Sequence, residues 1–523
     1  MKKIFTLFSA MLMSIASFAT TYNGTLTVTV NGEVSEQPTS VSIDEVNGNY
    51  KLSINNFMLV AGETILPVGN IVIDHVPGAV NGGLTTLCTN QEIQIPAGNV
   101  EGIAEEDWLG PLLGNVPVEM NARFTGKGYV VTDIHINMVE LDQVIDVKFE
   151  NVGNHFQMPN SDFETWSDKN KAPKHWHGFE SVTGSLSGSA KSTTKLVSSN
   201  NVRPGSKGLT SAVVTSTKVF TVIANGTMTN GRLAAGSMSA TNSANHSETN
   251  LSSTDVDANG DPFATPMYAK PDSVKFWMRF TQAKAQASYP NAAFNAVITD
   301  GTYYQDPENK TYTNKVAVAA PNKADMTVGD WRLVSCPFNY ASYATNGAEA
   351  KAILLTVSTN ATPGKGSYSN GVADSVYVDD LELVYLADIK SVSFKGATLD
   401  LTNTDIDIAD DDVISASDFV VEKIGEDAKV TTLVEANAKG YQAVISVVSG
   451  DLNTQKTLVF NFNKPVWADG DVNHDGVVDL ADVTLLINKV LGADATQLYN
   501  PDVNADGNVD VADVTTLVSL ILG

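Results

Sequence analysis

Two twelve-residue segments near the C-terminus share one register and constrain the chain more than any other feature. The first is Asp471-Val472-Asn473-His474-Asp475-Gly476-Val477-Val478-Asp479-Leu480-Ala481-Asp482; the second is Asp502-Val503-Asn504-Ala505-Asp506-Gly507-Asn508-Val509-Asp510-Val511-Ala512-Asp513. Both place side-chain oxygens at positions 1, 3, 5, 9 and 12 and a glycine at position 6, where the chain must turn sharply. Four aspartates in so short a loop repel one another unless a hard dication neutralises part of the charge. The spacing is that of a calcium loop, present twice. Expected ligands are Asp471, Asn473, Asp475, Asp479 and Asp482 with the Val477 carbonyl, and Asp502, Asn504, Asp506, Asp510 and Asp513 with the Asn508 carbonyl. Two bound ions are expected, and folding of this module should be coupled to them.

Each loop leads into an amphipathic stretch. Val483, Leu486, Ile487, Val490 and Leu491 recur at helical spacing, and Val514, Leu517, Val518, Ile521 and Leu522 repeat it. Two short helices cannot bury such stripes alone, so 469–523 is read as one small module pinned by metal. Lys464-Pro465-Val466-Trp467-Ala468 before it reads as linker. Loop-then-helix, twice, without entering helices, resembles a type I dockerin. That resemblance implies docking to a cohesin-like partner on a scaffold or cell surface, with partner-reading residues at loop positions 10 and 11. Those are Leu480 and Ala481 in the first copy and Val511 and Ala512 in the second, where family members often carry hydroxyls. Near identity of the copies implies two docking orientations related by a half-turn.

The N-terminus bears on the compartment. Lys2 and Lys3 precede an apolar run from Ile4 to Ile15, then Ala16-Ser17-Phe18-Ala19, a pattern expected of a secretory signal cleaved after Ala19. The run is shorter than the roughly 20 residues a membrane span needs. Acidic residues outnumber basic ones 59 to 33, giving a net charge of −26, so nucleic acid and anionic membranes are unsuitable partners. The two cysteines, Cys88 and Cys336, fall in what read as different domains and do not form a disulfide framework.

Residues 21–151 show short apolar alternations separated by turns: Leu26, Val28 and Val30 before Asn31-Gly32, Tyr50, Leu52 and Ile54 after Asn47-Gly48, and further sets to Ile145, Val147 and Phe149. About eight strands with tight links predict an up-and-down β-barrel. It resembles calycin-like domains of secreted proteins. Whether the barrel is filled or holds a ligand is open, as is whether Trp108 plugs a mouth or lines a pocket.

Residues 156–386 open on Met158-Pro159-Asn160-Ser161-Asp162-Phe163-Glu164 and close on Tyr377-Val378-Asp379-Asp380-Leu381, with a Ser-, Thr-, Asn- and Gly-rich interior that predicts a jelly-roll β-sandwich. The two motifs resemble those of a carbohydrate metabolism domain related to jelly-roll carbohydrate-binding modules. In such domains first and last strands lie side by side and share a structural calcium, which implies Asn160, Glu164 and Asp380 as its ligands. Sugars stack on exposed rings, and the candidates in polar surroundings are Trp176, Tyr303, Tyr304, Tyr340 and Tyr343. Trp166, Trp277 and Trp331 lie in strand-like patterns and read as core. His175 and His177 form a His-x-His pair that reads as a surface pair beside Trp176.

Residues 387–464 predict an immunoglobulin-like β spacer, with Asp405-Ile406-Asp407-Ile408-Ala409-Asp410-Asp411-Asp412 as a solvated turn lacking the loop glycine. The fold class is thus mainly β and multidomain, ending in a small α-helical double calcium-loop module. No metalloprotease, serine-hydrolase or phosphate-loop motif is present. The expected function is that of an exported, non-catalytic glycan-binding accessory protein in polysaccharide utilisation. A glycoside hydrolase with its carboxylates in the jelly roll, and an adhesin or assembly protein, stay open as alternatives.

Overall fold

The computed structural model describes residues 20–61, 64–139, 142–169, 171–191, 196–219, 222–493 and 498–523, and the signal segment read at 1–19 lies outside them. Among the described residues no helix is long and apolar enough to cross a membrane.

Eight antiparallel strands, β1 (Thr20–Val30), β2 (Glu33–Val46), β3 (Asn49–Ala61), β4 (Thr64–Asn81), β5 (Leu84–Gln94), β6 (Asn115–Thr125), β7 (Val130–Met138) and β8 (Gln143–Glu150), close a barrel in sequence order. Closure is by β8 on β1, with Leu26 opposite Phe149 and Val28 opposite Val147. Asn31-Gly32 and Asn47-Gly48 turn the first two hairpins, all four at positive φ as a tight two-residue turn requires. The alternation read from the sequence holds: Leu26, Val28, Leu52, Ile54, Val116, Val118 and Met120 share one buried cluster. Inward-facing side chains from all eight strands pack into this cluster or against it. Trp108 is buried, with its ring against Gly98, where a Cβ would stand 2.3 Å from the indole.

The central segment is a β-sandwich. One antiparallel sheet runs, in spatial order, Gly329–Pro337, Ser273–Thr281, Ser375–Val384, Ser211–Thr215 and Leu196–Ser199. The other runs Thr227–Thr229, Ala352–Ser358, Ala293–Thr299 and Lys315–Ala319, with Thr265–Pro266 also paired to Ala352–Ser358. Between them lie Val274, Phe276, Met278 and Phe280 from one sheet and Phe294, Ala296, Ile298, Ile353 and Leu355 from the other. The opening motif is not the strand that the jelly-roll resemblance implies. It turns, with Asn160 and Phe163 at positive φ, and meets the closing strand through Leu381 N–H to Ser161 O (2.9 Å), while Gln157 just before it forms a reciprocal pair with the Leu383 backbone (2.8 Å each).

Residues from about 388 to 463 form a three-stranded and a four-stranded sheet. The chain divides into two compact units within this segment. Val421–Thr431 and Ile445–Thr457 group with Met1–Ser391, while Val392–Val420, Thr432–Val444 and Leu458–Gly523 form the second unit. Inside the first unit Arg123, only 2% exposed, donates to the carbonyls of Leu452 and Asn453 (3.1 Å for the latter) and pairs with Asp133 at 2.5 Å. Cys336 is buried in the sandwich and Cys88 half-buried on β5, both as free thiols; burial, with Asp325 adding to it, pushes the Cys336 thiol up to about 12.

In the second unit, helices Leu480–Val490 and Val511–Leu522 pack on one another around Val483, Leu486 and Leu517. The predicted stripes are wider than this core. Ile487, Leu491, Ile521 and Leu522 stay exposed because two helices of eleven and twelve residues cover only the inner half of each stripe.

Candidate calcium loops and the surfaces around them

The two loops agree bond for bond. In the first, Asp471 accepts from the N–H groups of Asp475 (3.2 Å) and Gly476 (2.9 Å); in the second, Asp502 accepts from Asp506 (3.1 Å) and Gly507 (2.8 Å). The position-3 amides, Asn473 and Asn504, donate to the position-5 carboxylates at 2.9 and 3.0 Å. Gly476 and Gly507 sit at φ +91° and +89°, where an L side chain is strained.

The last two acidic positions have a double role. Asp479 and Asp510 cap the two helices, each accepting from the N–H two residues on at 2.7 Å. Asp482 and Asp513 complete capping boxes and reach back into the loop to accept from Asn473 and Asn504 (3.1 Å each). The Asp510 amide first, with the Asn504 amide adding to it, holds the Asp513 carboxyl below the usual carboxylate range. One residue thus ties loop to helix in each copy.

This donor set fits a hard divalent cation. It supplies five side-chain oxygens and a carbonyl per loop, and Asp471, Asp482 and Asp513 are buried carboxylates that accept from backbone N–H groups. As placed, the carboxylates turn onto the amides of their own loop, and no three acidic, His or Cys groups among the described residues stand as close as metal ligands.

Residues 469–522 match the family model described as Dockerin type I domain. The C-terminal module is a type I dockerin. Such domains bind calcium. Residues 18–152 match the family model described as Calycin-like beta-barrel domain, in accord with the closed eight-stranded barrel. No curated protein matches the chain.

In the dockerin, positions 10 and 11 form an open apolar surface: Leu480 is 73% and Val511 66% exposed, and Ala481 and Ala512 are exposed beside them. The copies differ at position 4. His474 lies stacked between Trp467 (4.4 Å between centroids) and Tyr499 (3.9 Å), whereas Ala505 occupies the equivalent place in the second loop. This aromatic sandwich was not anticipated, since Trp467 reads as linker and Tyr499 has no counterpart in a loop motif.

The central sandwich places its candidates differently from the sequence reading. Asn160, Glu164 and Asp380 each serve a separate purpose. Asn160 bonds the Thr165 and Lys174 backbone, Glu164 accepts from Leu209 and Thr210 N–H (2.9 Å each), and Asp380 pairs with Arg203 at 2.5 Å. Neighbouring Asp379 is buried, and desolvation first, with Asp380 adding to it, pushes its carboxyl up to about 6 despite the Arg203 N–H.

Of the proposed sugar platforms, Trp176 is 0% exposed; it donates to the Pro159 and Asn160 carbonyls at 3.2 Å and packs against Phe163. It is core, because the irregular backbone around His175 folds it inward. Tyr304 is buried against Tyr312. Tyr340 is half-buried and donates to the Pro271 carbonyl (2.7 Å), and Tyr343 lies half-buried beside Lys315. Tyr303 is 40% exposed and donates to Glu248 at 2.8 Å. His177 is buried and its ring meets the Pro262 carbonyl, while His175 is half-exposed beside Asp261, so the two do not form a surface pair.

Trp277 and Trp331, read as core, are half-exposed on the outer face of their sheet, with Tyr377 6.1 Å from Trp331 and Arg203 over Trp277. Strand period carries the signal that the reading missed. Val274, Phe276, Met278 and Phe280 alternate inward, so Trp277 must face out.

Proposed function

We propose that this chain is an exported, non-catalytic glycan-binding component that docks by its dockerin, with two calcium ions, to a cohesin-like partner in polysaccharide utilisation. The carrying observation is the duplicated loop geometry, in which each helix start is tied to its metal loop through Asp482 or Asp513. Loading the loops would set the helices and with them the exposed pairs Leu480-Ala481 and Val511-Ala512. In a calcium-rich exterior the ions would be permanent structural parts rather than a signal. The barrel's packed interior favours a spacing role, and the sandwich offers an aromatic outer face on one sheet and a cavity over the outer face of the other for sugar.

Affinity electrophoresis of the full chain in gels containing soluble plant and microbial polysaccharides tests the glycan half. Retardation by at least one polysaccharide, without release of reducing sugar, is the expected result. Unchanged mobility across the panel contradicts it, and sugar release would instead favour the hydrolase reading.

A further inference from the structure

A cavity of about 450 Å³ opens within the first compact unit, over the outer face of the sandwich sheet that contains Ala293–Thr299 and Ala352–Ser358. The chemistry of that face changes along its length. At one end Val297 and Leu354, directly opposite one another, are buried with Tyr304 and Tyr312. At the other end the same alternation brings Asn295 opposite Thr356, Ala293 opposite Ser358, and Thr227 beside Ser358. These five residues form the cavity floor, and the apolar walls are buried Leu233, half-buried Val219 and Val222 and exposed Met238.

The floor is therefore a ladder of small hydroxyl and amide side chains that is roofed by protein but not filled by it. Burying polar groups beneath apolar walls costs free energy unless partners complete their hydrogen bonds. Asp306 stands at the edge, its carboxylate accepting from Asn295 Nδ2 at 3.0 Å, and burial raises its pKa. His246 also lines the cavity, with its ring nitrogens at 2.8 Å from the Ser243 carbonyl and 3.3 Å from Glu248.

We infer that this cavity binds one terminal residue, or a short end, of a neutral glycan. Its size falls within the roughly 300–1,000 Å³ of small-molecule sites. Amide, hydroxyl and carboxyl groups along the floor match vicinal sugar hydroxyls, and the aliphatic walls match C–H faces. Among the described residues no Lys or Arg lines the cavity, and His246, the one basic side chain there, is already engaged by Glu248, which favours a neutral ligand over a phosphate, sulfate or uronate. Among the described residues Asp306 is the one carboxyl in the lining, whereas glycoside hydrolysis ordinarily takes a facing pair, so the assignment is to binding. The inference rests on the glycan-binding reading above and names its site.

The test is calorimetric titration of the full chain with neutral sugars: glucose, galactose, mannose, xylose, fucose and N-acetylglucosamine, with disaccharides of each. At least one should bind, and Asn295→Ala and Thr356→Val should each weaken it roughly tenfold, the loss of about one hydrogen bond, with the melting temperature of Thr356→Val unchanged. Thr356→Val keeps the side-chain shape, so a folding defect in the amide variant would not decide the matter. Trp331→Ala, on the opposite sheet, should leave affinity unchanged. Binding that survives both cavity variants but is lost in Trp331→Ala overturns the site while leaving glycan binding intact. Retardation by polysaccharide with no response to any neutral sugar does the same. Silence in both assays overturns both readings.

Discussion

Replacing Asp475 and Asp506 together with alanine removes the calcium-induced ordering of residues 469–523 in the full chain. Each carboxylate is a position-5 ligand in the calcium reading, and each also shapes its turn: Asp475 accepts from Val477 N–H (3.0 Å) and Asn473 Nδ2 (2.9 Å), and Asp506 accepts from Asn508 N–H (2.9 Å). Loss of one charged ligand from a loop should weaken calcium by roughly two orders of magnitude, given how affinity follows ligand charge and rigidity. Because the helices share a core of only three fully buried side chains, ordering should be lost with the metal. Titration calorimetry with hydrogen exchange across 469–523 checks this. Asp475→Ala alone should leave one ion per chain. Asn508→Ala, which keeps the position-7 carbonyl, should change affinity by no more than about threefold. An unchanged titration in the double variant contradicts the ligand assignment.

Arg123→Ala should loosen the first compact unit by about 3 kcal/mol, near the low end for breaking a buried ion pair because Asp133 is half-exposed. The guanidinium engages the Leu452 and Asn453 carbonyls and Asp133 together, so its removal strands two backbone acceptors as well as a charge. Hydrogen exchange in the 445–457 segment should accelerate by roughly a hundredfold, the equivalent of that energy in a local opening equilibrium. Arg123→Lys should not restore protection, since a point-like ammonium cannot span acceptors held by a planar fork. Exchange unchanged in both variants would show that the latch contributes nothing.

What was legible in the sequence follows from how local each signal is. The calcium loops are complete within twelve residues, so ligand spacing and glycine could be read directly, and the bonds of Asp471, Asn473, Asp475, Asp479 and Asp482 recur at the equivalent positions of the second copy. The barrel was legible because period-two alternation and Asn-Gly turns are local, and Leu26, Leu52 and Met120 point inward as that period requires. Trp176 was misjudged because its neighbours Lys174, His175 and His177 look like surface, while the left-handed backbone at His175 turns the indole into the core. Trp277 failed in the other direction, through reading an apolar strand as uniformly buried instead of counting its alternation.

Long-range features had no local signature. Arg123 meets a segment some 330 positions away. The cavity floor exists only because strand register sets Asn295 opposite Thr356. Glu164 accepts from the Leu209 and Thr210 amides, which only the folded backbone brings to it.

The central claim is that calcium shapes a docking surface at the C-terminus, and the most direct measurement is binding of the full chain to immobilised type I cohesins with calcium and then with chelator. Reversible capture in calcium, lost on chelation, lost in the Asp475→Ala/Asp506→Ala variant and weakened at least tenfold by Leu480→Asp with Val511→Asp, is the predicted result. Capture that persists without calcium, or a calcium-loaded module that binds none of the cohesins, would contradict it.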